Sequence, residues 1–186
     1  MRKLLIALGV IGGIVLLLFM YLNSAYNKAV SLDEETKARW ADVGSSYQRR
    51  ADLIPNLMET VKGAAANERG ILTAVTEARA GIVGAKTPED LELVGKKINT
   101  AINMAFEAYP QIRSTENFQM LQSQLEGTEN RINVARQDYN ESVQRYNSHI
   151  RGFITRIALS FAGGNFEIKK GFEAQAGTEN APKVKF

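Results

Sequence analysis

From Trp40 to Ile82 the chain sets apolar or aromatic residues at alternating steps of three and four: Trp40, Val43, Tyr47, Ile54, Leu57, Val61, Ala64, Ile71, Val75, Ala78 and Ile82, with Arg50 and Glu68 in the same phase. This alternation, held over six heptads, constrains the chain more than any other feature, because it specifies a long helix that buries one seam against other helices. Pro55 falls inside the run without resetting the phase. Proline removes one amide donor and crowds the carbonyl of Ala51, so the spacing predicts a bent but continuous helix from about Ser31 to Val83. The alternative is reversal of the chain near Pro55, which turns three long helices into four.

Downstream, Gly81 and Gly84 close the first helix, and Thr87-Pro88-Glu89-Asp90 opens a second with a capping threonine, a first-turn proline and acids at the positive end. Its seam is Leu91, Val94, Ile98, Ala101, Ala105 and Ala108, and Tyr109-Pro110 stops it. Ser114 and Glu116 cap a third helix expected to run to Ser160 along Phe118, Leu121, Leu125, Thr128, Ile132, Ala135, Tyr139, Val143, Tyr146, Ile150, Phe153 and Ile157. Gly127 and Gly152 are its weak points, each costing ~1 kcal/mol relative to Ala. Beyond Phe161 the periodicity dissolves at Gly163-Gly164, and residues 161–186 read as an irregular tail.

The expected fold is all-α: a transmembrane helix, then an elongated antiparallel up-and-down bundle. Its three legs, roughly 80, 30 and 65 Å long, do not match. Trp40, Val43 and Tyr47 on the first helix, and Tyr139, Tyr146 and Phe153 on the third, are therefore expected to lack partners within one chain. Apolar ridges left in water mark an interface, so these six residues are the expected contact with neighbouring copies.

Met1-Arg2-Lys3 precedes Leu4–Leu22, nineteen residues without a charge. At ~1.5 Å per residue the run is about 28 Å long, enough to cross the hydrocarbon core. A cleaved signal peptide shares the basic start and the apolar run. Here the run exceeds a usual signal core, and the nearby small-residue site ending at Ala25 has Asn23 where a small residue is wanted, so a retained signal-anchor is expected. The basic start favours a cytoplasmic N-terminus and an extracytoplasmic helical domain, although Lys28, Lys37 and Arg39 weigh against this. Ser31-Leu32-Asp33-Glu34 reads either as a capping box that restarts the helix or as a polar patch on a continuous one. The domain boundaries are 1–3 for the basic start, 4–22 for the span, 23–160 for the bundle and 161–186 for the tail.

The chain has no cysteine, which excludes disulfides and thiolate metal sites. Its net charge of +3 comes from Lys and Arg interleaved with Asp and Glu, the pattern of a solvated helix surface and not of a nucleic-acid site. His149 is the single histidine and has no Glu at the spacing a di-iron bundle needs. No phosphate loop, nucleophile elbow or zinc signature is present, so no catalytic residue, cofactor or metal ligand is expected. Arg50 and Glu68 lie on the seam about 27 Å apart on one helix, too far to pair with each other. Each needs a partner from another helix, with Glu107, Glu129, Arg131 and Arg136 as candidates. Arg50, Glu68, Asp52, Asn56, Glu129 and Arg136 are thus read as polar groups of the core that fix helix register.

Several stretches resemble the LemA family. They are Tyr26-Asn27, Trp40, Gln48-Arg49-Arg50-Ala51-Asp52-Leu53-Ile54-Pro55-Asn56-Leu57, Val61-Lys62-Gly63, Glu68 and Val75-Thr76-Glu77-Ala78-Arg79. Glu107-Ala108-Tyr109-Pro110, Asn117-Phe118, Leu125-Glu126-Gly127-Thr128-Glu129-Asn130-Arg131-Ile132, Ala135-Arg136, Tyr139-Asn140 and Tyr146-Asn147 continue the match. The resemblance covers about residues 20 to 150. It departs after Phe153, where Ile154 stands in place of the family's usual proline, and returns at Phe172-Glu173-Ala174. It implies a bacterial single-pass protein of the cytoplasmic membrane with an antiparallel helical bundle, usually of four helices, and no established enzymatic activity. Some members of the family are associated with shaping internal membranes.

Together these features point to a non-enzymatic, membrane-anchored scaffold that forms a homo-oligomer. The alternative is a monomeric adaptor that presents a groove or its tail to another membrane protein.

Overall fold

A computed structural model describes residues 1–60, 68–108, 116–163 and 165–173. The described residues form five helices and no strand: α1 (Arg2–Thr60), α2 (Glu68–Gly84), α3 (Pro88–Ala108), α4 (Glu116–Ile150) and α5 (Phe153–Ala162). Residues 165–173 follow α5 without regular structure. The chain is the expected all-helical protein, with a long apolar helix at its N-terminal end.

The first helix differs from the expected one. Pro55 lies inside α1, and α1 ends at Thr60 instead of running on to Val83. Asp52 forms an ion pair with Arg79, which is 27 residues further along. One continuous helix would hold the two about 40 Å apart, so α2 lies back alongside α1 and does not extend it. The kinked helix to Val83 is overturned; the alternative, reversal near Pro55 with four helical legs, is the closer description, although Pro55 itself stays inside α1. Val61 and Ala64 of the expected seam lie outside the described residues.

At its other end α1 continues unbroken through Ser31, Asp33 and Glu34, so the polar patch sits in mid-helix. The third expected helix is divided in two. Gly152, with φ −60° and ψ 138°, leaves helical geometry and becomes the N-cap of α5. Gly163, at φ 72°, closes α5 in the left-handed region that glycine enters without steric cost, and its N–H donates to the Leu159 carbonyl at 3.1 Å. The start of α3 follows the sequence closely. The Asp90 amide donates to Thr87 Oγ1 at 3.2 Å while Asp90 Oδ2 accepts from the Thr87 amide at 3.0 Å, a reciprocal capping box just ahead of the first turn.

The helices fall into two compact units. In the unit made of Val43–Arg136 and Lys170 onward, four helical segments surround one core that includes Val43, Ile54, Val75, Leu91, Ile98 and Ile132. Arg50 of α1 reaches Glu129 of α4, Arg79 of α2 reaches Asp52 of α1, and Glu92 of α3 reaches Arg136 of α4. Gly95 of α3 admits the Tyr47 ring so closely that a β-carbon there would stand 2.8 Å from it.

The other unit comprises Met1–Asp42 and Gln137–Lys169. Here α1 and α4 run antiparallel, with Glu35 paired to Arg145 and Arg39 to Asp138. Ala29, Leu32, Tyr146 and Ile150 form its buried cluster, with Leu159 of α5 and Phe166 packed on it. Residues Leu4–Tyr21 are exposed throughout, and this part of α1 is long and apolar enough to cross a membrane.

Candidate functional site

In the four-helix unit charged residues of α1, α3 and α4 meet at one cleft of about 510 Å³, lined by Tyr47, Arg50, Lys96, Asn99, Glu129 and Arg136 among others. Position Arg50 is reached because the α1 seam brings it in phase with Val43, Tyr47 and Ile54. Its side chain is only 12% exposed and its Nη1 pairs with Glu129, while its Nε is buried without a hydrogen-bond acceptor. The Arg136 Nη2 donates to Glu92 Oε1 at 2.6 Å and to the Glu173 carbonyl at 3.5 Å, and its guanidinium lies 4.6 Å from the centre of the Phe172 ring. Burial pushes the Tyr47 phenol above its ordinary value; the Arg136 charge opposes this and those of Glu92 and Glu129 reinforce it.

Each arginine in the cleft is thus matched by a carboxylate on another helix. Such pairs are costly to break from one side, because the remaining charge stays partly buried. They fix which helix faces which and in what register. Among the described residues, no group of three or more His, Asp or Glu side chains is placed to hold a metal ion.

The membrane-proximal unit has a second polar centre. Asp33 sits between Lys37 Nζ at 2.8 Å and Lys169 Nζ at 2.6 Å. Burial raises the Asp33 carboxyl, but the two ammonium groups outweigh it and hold it below the usual carboxylate range. Lys169 also lies 4.8 Å from the centre of the Tyr146 ring, and its backbone is held on both sides by the Asn147 amide. Phe166 meets Tyr26 edge-on at 5.9 Å. Residues 165–169 are therefore fastened to α1 and α4 by an ion pair, an amide clamp and an aromatic contact.

Several sequence expectations change place. Val43, Tyr47, Tyr139 and Tyr146 are buried within the chain, and Trp40 lies 5.2 Å from Tyr139, so this seam is not left uncovered. The reason is that α2 runs back along α1, which makes α4, and not α3, antiparallel to α1. Of the six expected interface residues, Phe153 is the one left 76% exposed. Among the polar residues, Arg50 meets Glu129, Asp52 meets Arg79 and Arg136 meets Glu92, whereas Asn56 is exposed and the Glu68 side chain lies outside the described residues. Glu92 and Lys169 were not singled out by sequence, and Asp33 and Arg79 entered only within longer stretches, without their partners. None of the four lies on an apolar seam, and only their charge sign marks them as partners.

A family model described as LemA family matches residues 39–186. Among curated proteins, the chain is similar to magnetosome proteins MamQ 2 and MamQ 1 of Paramagnetospirillum magneticum, each 24% identical over an alignment that takes in 67% of this chain and 57% of the relative. The chain thus spans just over half the length of these two relatives.

Proposed function

This chain belongs to the LemA family, and from that premise we propose that it is a membrane-anchored, non-enzymatic scaffold whose helices self-associate and organise or shape the membrane. The observation that carries the reading is the continuity of α1. The exposed apolar stretch ends near Leu22, and the same helix runs on without a break to Thr60. No flexible linker separates the anchor from the helical part, so an assembly built from these helices acts directly on the orientation of the spanning segment. The similarity to two magnetosome proteins supports a membrane-organising role. In this reading residues 4–22 are the span, 23–160 the helical domain and 161–186 the tail, with the helical domain outside the cytoplasm and the span in the bacterial cytoplasmic membrane.

With the α1–α4 seam occupied within the chain, self-association falls to residues that remain outside. Leu93 and Met104 on α3 and Met120 and Val134 on α4 are exposed apolar side chains on neighbouring helices. Light scattering of the full chain in detergent should give a protein mass that is a multiple of 20.5 kDa, and Leu93→Glu with Val134→Glu should reduce it. A monomer at every concentration would end the scaffold reading.

A second reading, an adaptor for another membrane protein, is favoured by the open cleft beside Arg136 and Glu173. A monomeric mass, together with loss of a copurifying membrane protein on deletion of residues 172–186, would select it.

A further inference from the structure

The ten residues of α5 present two different faces. Thr155 and Ala158 are buried, whereas Phe153 is 76% exposed and Phe161 83%. Phe153 and Phe161 are eight residues apart and so share one side of the helix, with the half-buried Ile157 between them and the exposed Arg156 beside them. Ile168, just past the turn at Gly163, adds another exposed apolar side chain. A short helix that turns aromatic residues outward beside a cation has the composition of an interfacial membrane helix.

Its position within its own unit supports the same conclusion. The His149 ring nitrogen Nε2 is 2.9 Å from the Ala25 carbonyl, and Tyr21 and Phe153 line one cleft. The start of α5 is therefore level with residues 21–28 of α1, where the uncharged run gives way to Asn23, Ser24 and Lys28. A bilayer spanned by Leu4–Leu22 has its headgroup layer at that level, and the exposed cations Lys28, Arg151 and Arg156 belong to the same region.

We propose that α5 is a second membrane contact. It lies in the headgroup layer beside the spanning helix, with Phe153, Phe161 and Ile168 entering the acyl boundary and Arg151, Arg156 and Lys28 facing anionic lipid phosphates. The proposal rests on the membrane-anchor part of the preceding reading and is independent of self-association.

The absence of cysteine permits a direct test with single-cysteine variants of the full chain. Phe161→Cys, Leu16→Cys and Glu141→Cys, each carrying an environment-sensitive fluorophore, are reconstituted in vesicles of phosphatidylcholine and phosphatidylglycerol. Nitroxide lipids quench at shallow or deep positions, and iodide quenches from water. The Leu16 probe should lose its emission to the deep nitroxide, the Phe161 probe to the shallow one with protection from iodide, and the Glu141 probe to iodide alone. Quenching of the Phe161 probe by iodide alone, with Leu16 still quenched by lipid, overturns the proposal and leaves the anchor intact. Protection of the Phe161 probe from iodide without any lipid quenching also overturns it, in favour of a second copy covering α5. If the Leu16 probe is not quenched by lipid, the anchor reading and this proposal fall together. Replacing Arg151 and Arg156 by Gln should raise iodide access at Phe161; unchanged access removes the lipid-phosphate contact.

Discussion

The Asn147 side chain holds the backbone of Lys169 from both sides: its Nδ2 donates to the Lys169 carbonyl at 2.7 Å, and its Oδ1 accepts from the Lys169 amide at 2.9 Å. An asparagine amide in this arrangement supplies the backbone partners that a segment without regular structure otherwise lacks. Asn147→Ala leaves both backbone groups without their partners in a half-buried place and should cost about 1–3 kcal/mol. Asn147→Asp keeps the acceptor and loses the donor, so its cost should be smaller. Hydrogen exchange at the Lys169 amide distinguishes them: fast in the alanine variant, still slowed in the aspartate variant. Equal exchange in both would show that the clamp does not hold the segment.

The ion pair that fastens Lys169 to α1 gives the membrane-proximal unit a dependence on acid. Burial raises the Asp33 carboxyl, but the hydrogen bonds and charges of Lys169 and Lys37 lower it further than burial lifts it. A carboxyl depressed in the folded state contributes stability that is present above its unfolded value of about 3.9 and is lost as pH falls through the folded value. Asp33→Asn should therefore lower the melting temperature at neutral pH and flatten its decline on the acid side, the two curves converging at the lowest pH. Melting curves in detergent, followed by circular dichroism across the acid range, test this; parallel declines would exclude Asp33 as the source.

The parts of this architecture that were legible in the sequence are those governed by local rules. Thr87 and Asp90 form their cap where the turn chemistry places it, and Gly152 breaks the helix where its low helix propensity lies. The opposite direction of α2 is legible only as the alternative because Leu57, Val61, Ala64 and Ile71 keep the three-four phase between α1 and α2. Periodicity reports which face of a helix is apolar, and it carries no information on direction when a connection happens to preserve the phase. The direction of α2 decides whether Tyr139 meets Trp40 or a second copy of the chain, so the expected interface moved with it. Arg50 announced itself as a charge on an apolar seam. Lys169 did not, since its role depends on a segment without regular structure.

Arg136 is expected to be the most sensitive cation of the cleft. It is 17% exposed, pairs with Glu92 at 2.6 Å and stacks on Phe172. Arg136→Met removes the charge and leaves the Glu92 carboxylate, 33% exposed, without its partner. A loss of about 1–3 kcal/mol is expected. Adding Glu92→Gln should recover part of the loss, because the cost comes largely from the uncompensated charge. Arg136→Lys should remain intermediate, since an ammonium supplies charge without the planar face that lies on Phe172. A double-mutant cycle by chemical denaturation measures the coupling; simple additivity of Arg136→Met and Glu92→Gln would show that the pair does not act as a unit.

Two helix glycines make opposite predictions for one substitution. A β-carbon at Gly95 would stand 2.8 Å from the Tyr47 ring, whereas one at Gly127 meets nothing within 4 Å. The Tyr47 side chain is buried, so its ring has little room to withdraw. Gly95→Ala should destabilise by about 1–3 kcal/mol through overpacking between α1 and α3. Gly127→Ala should stabilise by roughly 0.5–1 kcal/mol, because alanine loses less backbone freedom in an exposed helix interior. Tyr47→Leu in the Gly95→Ala background removes the ring that the new methyl strikes and should restore part of the loss. Stabilisation by both alanines would mean that α3 does not approach Tyr47 closely enough to require glycine.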